Sequence, residues 1–347
     1  MRILISLLIA LTVVSISNAQ DNEKQVPFET GFAEPTAREI TLAKSGPRGP
    51  NETSSFSAQL DSGLALIRTK KYEQAEQTLN EALRLQPDSP LAWQSLGFAL
   101  YYQKKYDKDV DAFCEAQRLA PKDVITNNNL GFAYLYAEKY QDAVTSFQTA
   151  LQFNPRFRAS INGLCSAQSF AGTASEALQP CLEAAANDPD SAVPNYFLGI
   201  IYVDLGEPDK ALSALLKAVR IEPDSAKIHV ALGFAYFKLN KLQEAVASFE
   251  YARSIEPKVS HALLGLGAAH AQMKNYAKAE NLLREAVAAD PDNPIAQYNL
   301  GMVCLSRSNH DCALSQYNRL KIMGHPLAKT LFTSMYRDRV VNVANKN

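Results

Sequence analysis

Proline stands at positions 87, 121, 155, 189, 223, 257 and 291, a constant step of 34 residues. A spacing held that long without an insertion requires each stretch between prolines to adopt one structure, because every unit must offer its neighbour the same face. Other series run in phase with it. With each proline counted as the thirty-second residue of its unit, the eighth is Gly63, Gly97, Gly131, Cys165, Gly199, Gly233, Gly267 and Gly301. Alanine fills the twenty-seventh place at Ala82, Ala116, Ala150, Ala184, Ala218, Ala252 and Ala286. It also fills the twentieth at Ala75, Ala143, Ala177, Ala211, Ala245, Ala279 and Ala313, with Asp109 the exception. Small residues at these places let two helices approach closely. Leu96, Leu130, Tyr134, Phe147, Leu198, Tyr202, Leu232, Tyr236 and Phe249 supply large core side chains at helical spacing.

In full, the second unit reads Trp93-x-x-Leu96-Gly97, then Phe113 and Pro121; the third reads Leu130-Gly131-x-x-Tyr134, then Ala143-x-x-x-Phe147 and Pro155. This pattern resembles the tetratricopeptide repeat family over residues 56 to about 325. The resemblance implies an all-α fold, a right-handed superhelical solenoid of about eight helix hairpins. The units run 56–89, 90–123, 124–157, 158–191, 192–225, 226–259, 260–293 and 294–325, followed by a capping helix and tail over 326–347. In that last segment Leu327, Leu331, Phe332 and Met335 share one stripe, suited to covering the final apolar face of an array.

Helix starts agree with this register. Ser55, Ser89, Asp123, Ser191, Ser225 and Asn293 each precede a first helix, where a side-chain oxygen accepts from free backbone N–H groups. Phe157 and Val259 take the same place in two units and have no acceptor to offer. Pro90 and Pro294 fall at the first helical position, where the missing N–H costs nothing.

Ahead of the array, residues 1–19 carry Arg2, an apolar run from Ile3 to Val14 and the ending Ser17-Asn18-Ala19, the pattern of a cleaved secretory signal. The apolar run is too short to span a bilayer, so no transmembrane segment is expected after cleavage. Residues 20–55 are polar, contain Pro27, Pro35, Pro47 and Pro50, and read as a flexible leader. The expected location is therefore export, periplasmic or extracellular. A net charge of −1, with no long charge run, argues against a nucleic-acid partner, which needs a basic stripe.

The cysteines test the compartment. In the family's hairpin, Cys165 and Cys181 occupy facing positions of the fourth unit, and Cys304 and Cys312 lie on either side of the turn of the eighth. Both pairs are expected to form disulfides in an oxidising environment, each contributing about 2.5–3 kcal/mol through the unfolded state. They would staple the two units that depart most from the pattern. The fourth has Gln168 and Ala174 at large-residue places, and Pro180 is expected to interrupt its second helix. The eighth has His310 where tyrosine is usual. Cys114 is left over; it either links two chains or is tolerated as a free thiol.

No catalytic grouping emerges. Cys304, His310, Cys312 and His325 are the one cluster with ligand chemistry, and their spacing matches no common zinc pattern. No metal, cofactor or enzymatic activity is expected. In this family the first helices line a concave groove. Carried over by position, its lining is Gln94, Phe98, Tyr101, Tyr102, Asn128, Phe132, Tyr136, Asn162, Phe170, Tyr196, Phe234, Phe237 and Tyr298. Such a trough suits an extended or helical peptide, although periodicity alone does not separate a displayed aromatic from one packed on the next unit. The lysine-arginine-asparagine clamp for acidic C-termini and the asparagine ladder of a sugar transferase are both missing from their positions. The expectation is a non-enzymatic protein- or peptide-binding scaffold. The alternative is a structural self-assembly module of an envelope complex, a homo-oligomer built through the convex face or Cys114.

Overall fold

The computed structural model describes residues 50–344 apart from Thr173. The expected signal (1–19), the leader up to residue 49 and the last three residues lie outside the described residues. Among the described residues all regular structure is helical. The chain divides into two compact units, one ending at Pro189 and the other beginning at Asp190.

The first unit holds four hairpins: α1 (Pro50–Arg68) with α2 (Tyr72–Leu85), α3 (Pro90–Tyr102) with α4 (Tyr106–Leu119), α5 (Val124–Tyr136) with α6 (Tyr140–Phe153), and α7 (Arg158–Ala171) with α8 (Ala174–Asn187). Within this unit each helix packs on the next in sequence, and the first helices of successive hairpins also touch. The second unit repeats the scheme with α9 (Ala192–Asp204), α10 (Pro208–Ile221), α11 (Ala226–Lys238), α12 (Leu242–Ile255), α13 (Ser260–Gln272), α14 (Tyr276–Ala289), α15 (Pro294–Ser306) and α16 (His310–Ile322). A final helix, α17 (Leu327–Ala344), lies against α15 and α16 and buries Leu331 completely beside Tyr298, Met302 and Leu320.

The recurrent glycine is a steric requirement. A Cβ on Gly131 would sit 2.6 Å from the Phe147 ring, and one on Gly163 would sit 2.5 Å from it. Phe147 is thus a fully buried knob held between two first helices. The fourth hairpin solves the same problem covalently. Cys165 takes the glycine place and Cys181 the knob place, with their sulfurs 2.04 Å apart, at bonding distance.

The recurrent proline has a second use besides ending a helix. Trp93 donates its indole N–H to the Pro87 carbonyl at 2.8 Å, and Asn127 and Gln297 donate side-chain amides to Pro121 and Pro291 at 3.0 and 2.9 Å. The Nε2 of His229 lies 2.8 Å from the Pro223 carbonyl. A polar atom in the fourth place of a unit therefore ties down the carbonyl exposed by the preceding proline turn.

Most hairpin turns pass through a left-handed residue in the fifteenth place of the unit: Lys70, Lys104, Glu138, Asn240, Lys274, Ser308 and Gly206. Only the last is the glycine that such a conformation favours.

Three local expectations are corrected. Ser55 does not cap the first helix, because α1 begins at Pro50 and runs through it. Pro50, like Pro90 and Pro294, has the fixed φ suited to a helix start. Pro180 does not interrupt the second helix of its hairpin; α8 is continuous around it. The helix bears the lost hydrogen bond there because Cys181 is tethered to α7 and Ala177 and Ala184 are fully buried. Ser191 and Ser225 stand at the caps of α9 and α11 but make no side-chain cap bond. Ser89, Asp123 and Asn293 do cap their helices, and Phe157 and Val259 do not.

Candidate functional site

In the first unit the first-helix face carries an aromatic cluster. Tyr101 and Tyr136, on α3 and α5, have ring centroids 4.7 Å apart, and Tyr102 lies 5.1 Å from Tyr101. Tyr72 stacks on Tyr102 at 4.7 Å, and Tyr106 stacks on Tyr136 at 6.0 Å. The last two tyrosines begin second helices and were not among the residues assigned to the face by position. Their signal was a tyrosine recurring at positions 72, 106 and 140, in step with the prolines. The third of them, Tyr140, stacks on Phe170 at 5.2 Å. Burial, and then the neighbouring Tyr136 phenol, push the Tyr101 hydroxyl well above the ordinary phenol range, so it stays a neutral donor and acceptor. Tyr102 keeps 48% of its surface exposed.

Lys104 and Lys105 follow directly in the turn, and Lys105 pairs with Glu76 at 2.8 Å. Burial acts to raise the Glu76 carboxyl, but its Lys105 and Gln103 partners together outweigh it and hold the group below the usual range. The edge of the cluster is thus aromatic with a lysine rim.

Phe98 and Phe132 lie deeper. Each meets a phenylalanine of its own hairpin edge-on, Phe113 and Phe147, at 5.5 and 4.9 Å. Both are 5% exposed. The polar members form hydrogen-bonded rungs: Gln94 donates to Thr126 at 2.8 Å, and Thr126 donates to the capping Asp123 at 2.6 Å. Ser160 donates to Asn128 at 2.9 Å, and Asn162 donates to Asp188 at 3.0 Å, a carboxylate that also pairs with Arg158.

In the second unit all four assigned residues are buried. Phe234 stacks edge-on against Phe249 at 5.0 Å and is 9% exposed, as is Phe237. Tyr196 meets Phe197 at 5.2 Å. Tyr298 is part of the core beneath α17, and burial raises its phenol above the ordinary range.

The other cysteines are at the far end of the second unit. Cys304 and Cys312 have sulfurs 1.99 Å apart. Glu280 on α14 is beside them, its carboxylate within 4.8 Å of both sulfurs. Its oxygens pair with Arg284 at 2.7 Å and Arg307 at 2.6 Å, which hold the carboxyl below its usual range. His310 and His325 are not part of this cluster. Cys114 is half-buried, with its sulfur 3.3 Å from the Tyr134 hydroxyl.

Stacked helix hairpins with a small residue under each knob define an α-solenoid. Family models described as "Tetratricopeptide repeat" match residues 60–124, 125–157 and 236–301, and one described as "TPR repeat" matches 199–240. The chain belongs to the tetratricopeptide repeat family. No curated protein matches it in sequence. Among solved structures it is similar to the APC/C hetero-tetramer Cut9-Hcn1, with 18% identity and a TM-score of 0.62, over 86% of this chain and 58% of that one. It is also similar to the human IFIT1 dimer with m7Gppp-AAAA, at 14% identity and TM-score 0.54, over 86% and 76% of the two chains. PilW, a type IV pilus biogenesis factor, matches at 16% identity and TM-score 0.55, over 60% of this chain and 98% of its own. At these identities the likeness is one of fold. No helix among the described residues is long and apolar enough to cross a membrane.

Proposed function

We propose that this protein is a non-enzymatic scaffold that binds a protein or peptide partner on the first-helix face of its hairpins. The carrying observation is the cluster of Tyr72, Tyr101, Tyr102, Tyr106 and Tyr136, with Tyr102 48% exposed among rings 4.7 to 6.1 Å apart. A fold of this kind needs one knob per hairpin, and Phe113 and Phe147 already supply it. The further tyrosines give amphipathic contact area with few rotatable bonds, the property that places tyrosine at interface hot spots. Gln94, Asn128 and Asn162 set the spacing of the helices beneath, and Phe98, Phe132, Phe170, Tyr196, Phe234 and Phe237 form the floor of the same face in each unit, whereas Tyr298 is covered by α17. The family, used mostly for protein interaction, supports this class of activity, and no cofactor is invoked.

The segment 1–19 and the two cysteine pairs at bonding distance support export to an oxidising compartment, periplasmic or extracellular. The paired variant Tyr72→Ala/Tyr102→Ala, with its helical circular dichroism unchanged, should lose captured partner from the native envelope fraction. Full retention of the same partner by that variant would remove the face from consideration.

A second reading, self-assembly, is favoured by exposed apolar side chains on the last two helices: Ile322 on α16 is 79% exposed, and Phe332 on α17, beside Tyr317, is 44% exposed. Sedimentation over a concentration series tests it. A monomer throughout, including under non-reducing conditions that would preserve a Cys114 link, leaves the scaffold reading alone.

A further inference from the structure

The two cysteine pairs differ in chemical surroundings. Cys165 and Cys181 are fully buried within α7 and α8, where they replace the glycine and the knob of a hairpin. Cys304 is also fully buried, but Cys312 keeps 9% exposure and lies in the first turn of α16, beside the α15–α16 turn. Asn309 caps that turn, accepting from the Cys312 N–H at 3.1 Å. A guanidinium nitrogen of Arg284 is 3.5 Å from the Cys312 sulfur. Arg284 is itself aimed by Glu280, which also holds Arg307. A cation placed on a sulfur and a helix N-terminus under it both favour a thiolate at Cys312 over a neutral thiol. With the Glu280 carboxylate engaged by two guanidinium groups, the same cluster is a poor cation site.

We propose that Cys304–Cys312 is a reversible thiol–disulfide pair that exchanges with small thiols and disulfides through Cys312, whereas Cys165–Cys181 is structural. In reduction, an external thiolate attacks the Cys312 sulfur, the less buried of the two. The bond to Cys304 breaks, and Cys304 leaves with the electron pair and takes up a proton. A second external thiolate attacks the external sulfur of the mixed disulfide, and Cys312 leaves as a thiolate facing Arg284. The sum is one protein disulfide and two external thiols giving a protein dithiol and one external disulfide. In the reverse direction Cys312 is the attacking thiolate and Cys304 the resolving thiol. Arg284 stabilises only the reduced form, so it makes the bond easier to reduce. The proposal is independent of the partner-binding face.

The test is equilibration of the full chain in mixtures of reduced and oxidised glutathione, then alkylation of free thiols and peptide mass mapping. Cys304 and Cys312 should become alkylated together at mixtures that leave Cys165–Cys181 intact. Arg284→Gln should make the Cys304–Cys312 bond harder to reduce by about tenfold in its equilibrium constant, the equivalent of one pKa unit. Arg284→Lys, which keeps the charge, should stay near the native value. Simultaneous reduction of both bonds, or an Arg284→Gln variant unchanged or easier to reduce, overturns the proposal. If Arg284→Gln fails to fold, the order of reduction in the native chain and the unchanged balance in Arg284→Lys decide it.

Discussion

Asp109→Ala should stabilise this protein, and by an amount that grows with pH. Asp109 sits in the first turn of α4 at the twentieth place of its unit, where Ala75, Ala143, Ala177, Ala211, Ala245, Ala279 and Ala313 are all fully buried. Asp109 is equally buried, and neither of its carboxylate oxygens has a hydrogen-bond partner. Burial pushes its carboxyl from 3.8 to about 8; the nearby Val110 backbone N–H, too poorly placed for a full hydrogen bond, opposes it, as does Lys139, while Asp107 and Asp111 add to it. The folded protein therefore holds a proton that the unfolded chain releases near pH 4. A raised carboxyl lends its full share of stability only below the unfolded value. That share is lost as pH climbs toward the folded one, at up to about 1.4 kcal/mol per pH unit.

Over the interval from about pH 5 to about pH 7.5 the loss comes to about 2–3 kcal/mol, and alanine, which does not titrate, removes it. Packing offsets little, since seven sister hairpins close around alanine at this place. The assay is urea unfolding of native and variant chains at both pH values, followed by circular dichroism. The variant should be the more stable at both, with the gap wider at the higher pH. A variant that is no more stable, or a gap that does not change with pH, would mean that Asp109 has a partner in solution and refute the reasoning.

Gly131→Ala should destabilise by about 2 kcal/mol despite alanine's better helix propensity, because the added carbon meets a ring with no room to move; a urea midpoint equal to the native one contradicts it. His270, buried with neither ring nitrogen partnered, is kept below its usual range by burial and then by Lys278. Its neutral ring contributes stability that is complete above about pH 6.5 and is lost as pH falls, so His270→Tyr should flatten the acid limb of a melting-temperature profile between about pH 7 and about pH 5.

The hairpins were legible because their determinants are local and repeat in phase: a proline stop, a glycine under a knob, alanines where helices touch. The proline carbonyl ties were not legible, because Trp93, Asn127, His229 and Gln297 share no chemistry beyond a polar atom at the right reach. Left-handed turns at lysine and glutamate were hidden for the same kind of reason, since the hairpin imposes the conformation and the residue only tolerates it. Pro180 misled because its local cost was counted in full, although the expected Cys165–Cys181 tether holds the helix across it. Sequence position did assign Tyr101, Tyr102 and Tyr136 to one face. It could not show that Tyr72 and Tyr106 would complete the cluster, nor that Asn128 would spend its side chain on Ser160.

The central claim is that partners meet the first-helix face, and site-specific photo-crosslinking reads contact there directly. A photoreactive residue placed at Tyr102 on α3, and in a separate chain at the comparably exposed Phe153 on α6, would be irradiated in the native envelope fraction. The account predicts a discrete crosslinked partner from position 102 and none from 153. The same product from both positions, or from 153 alone, contradicts it.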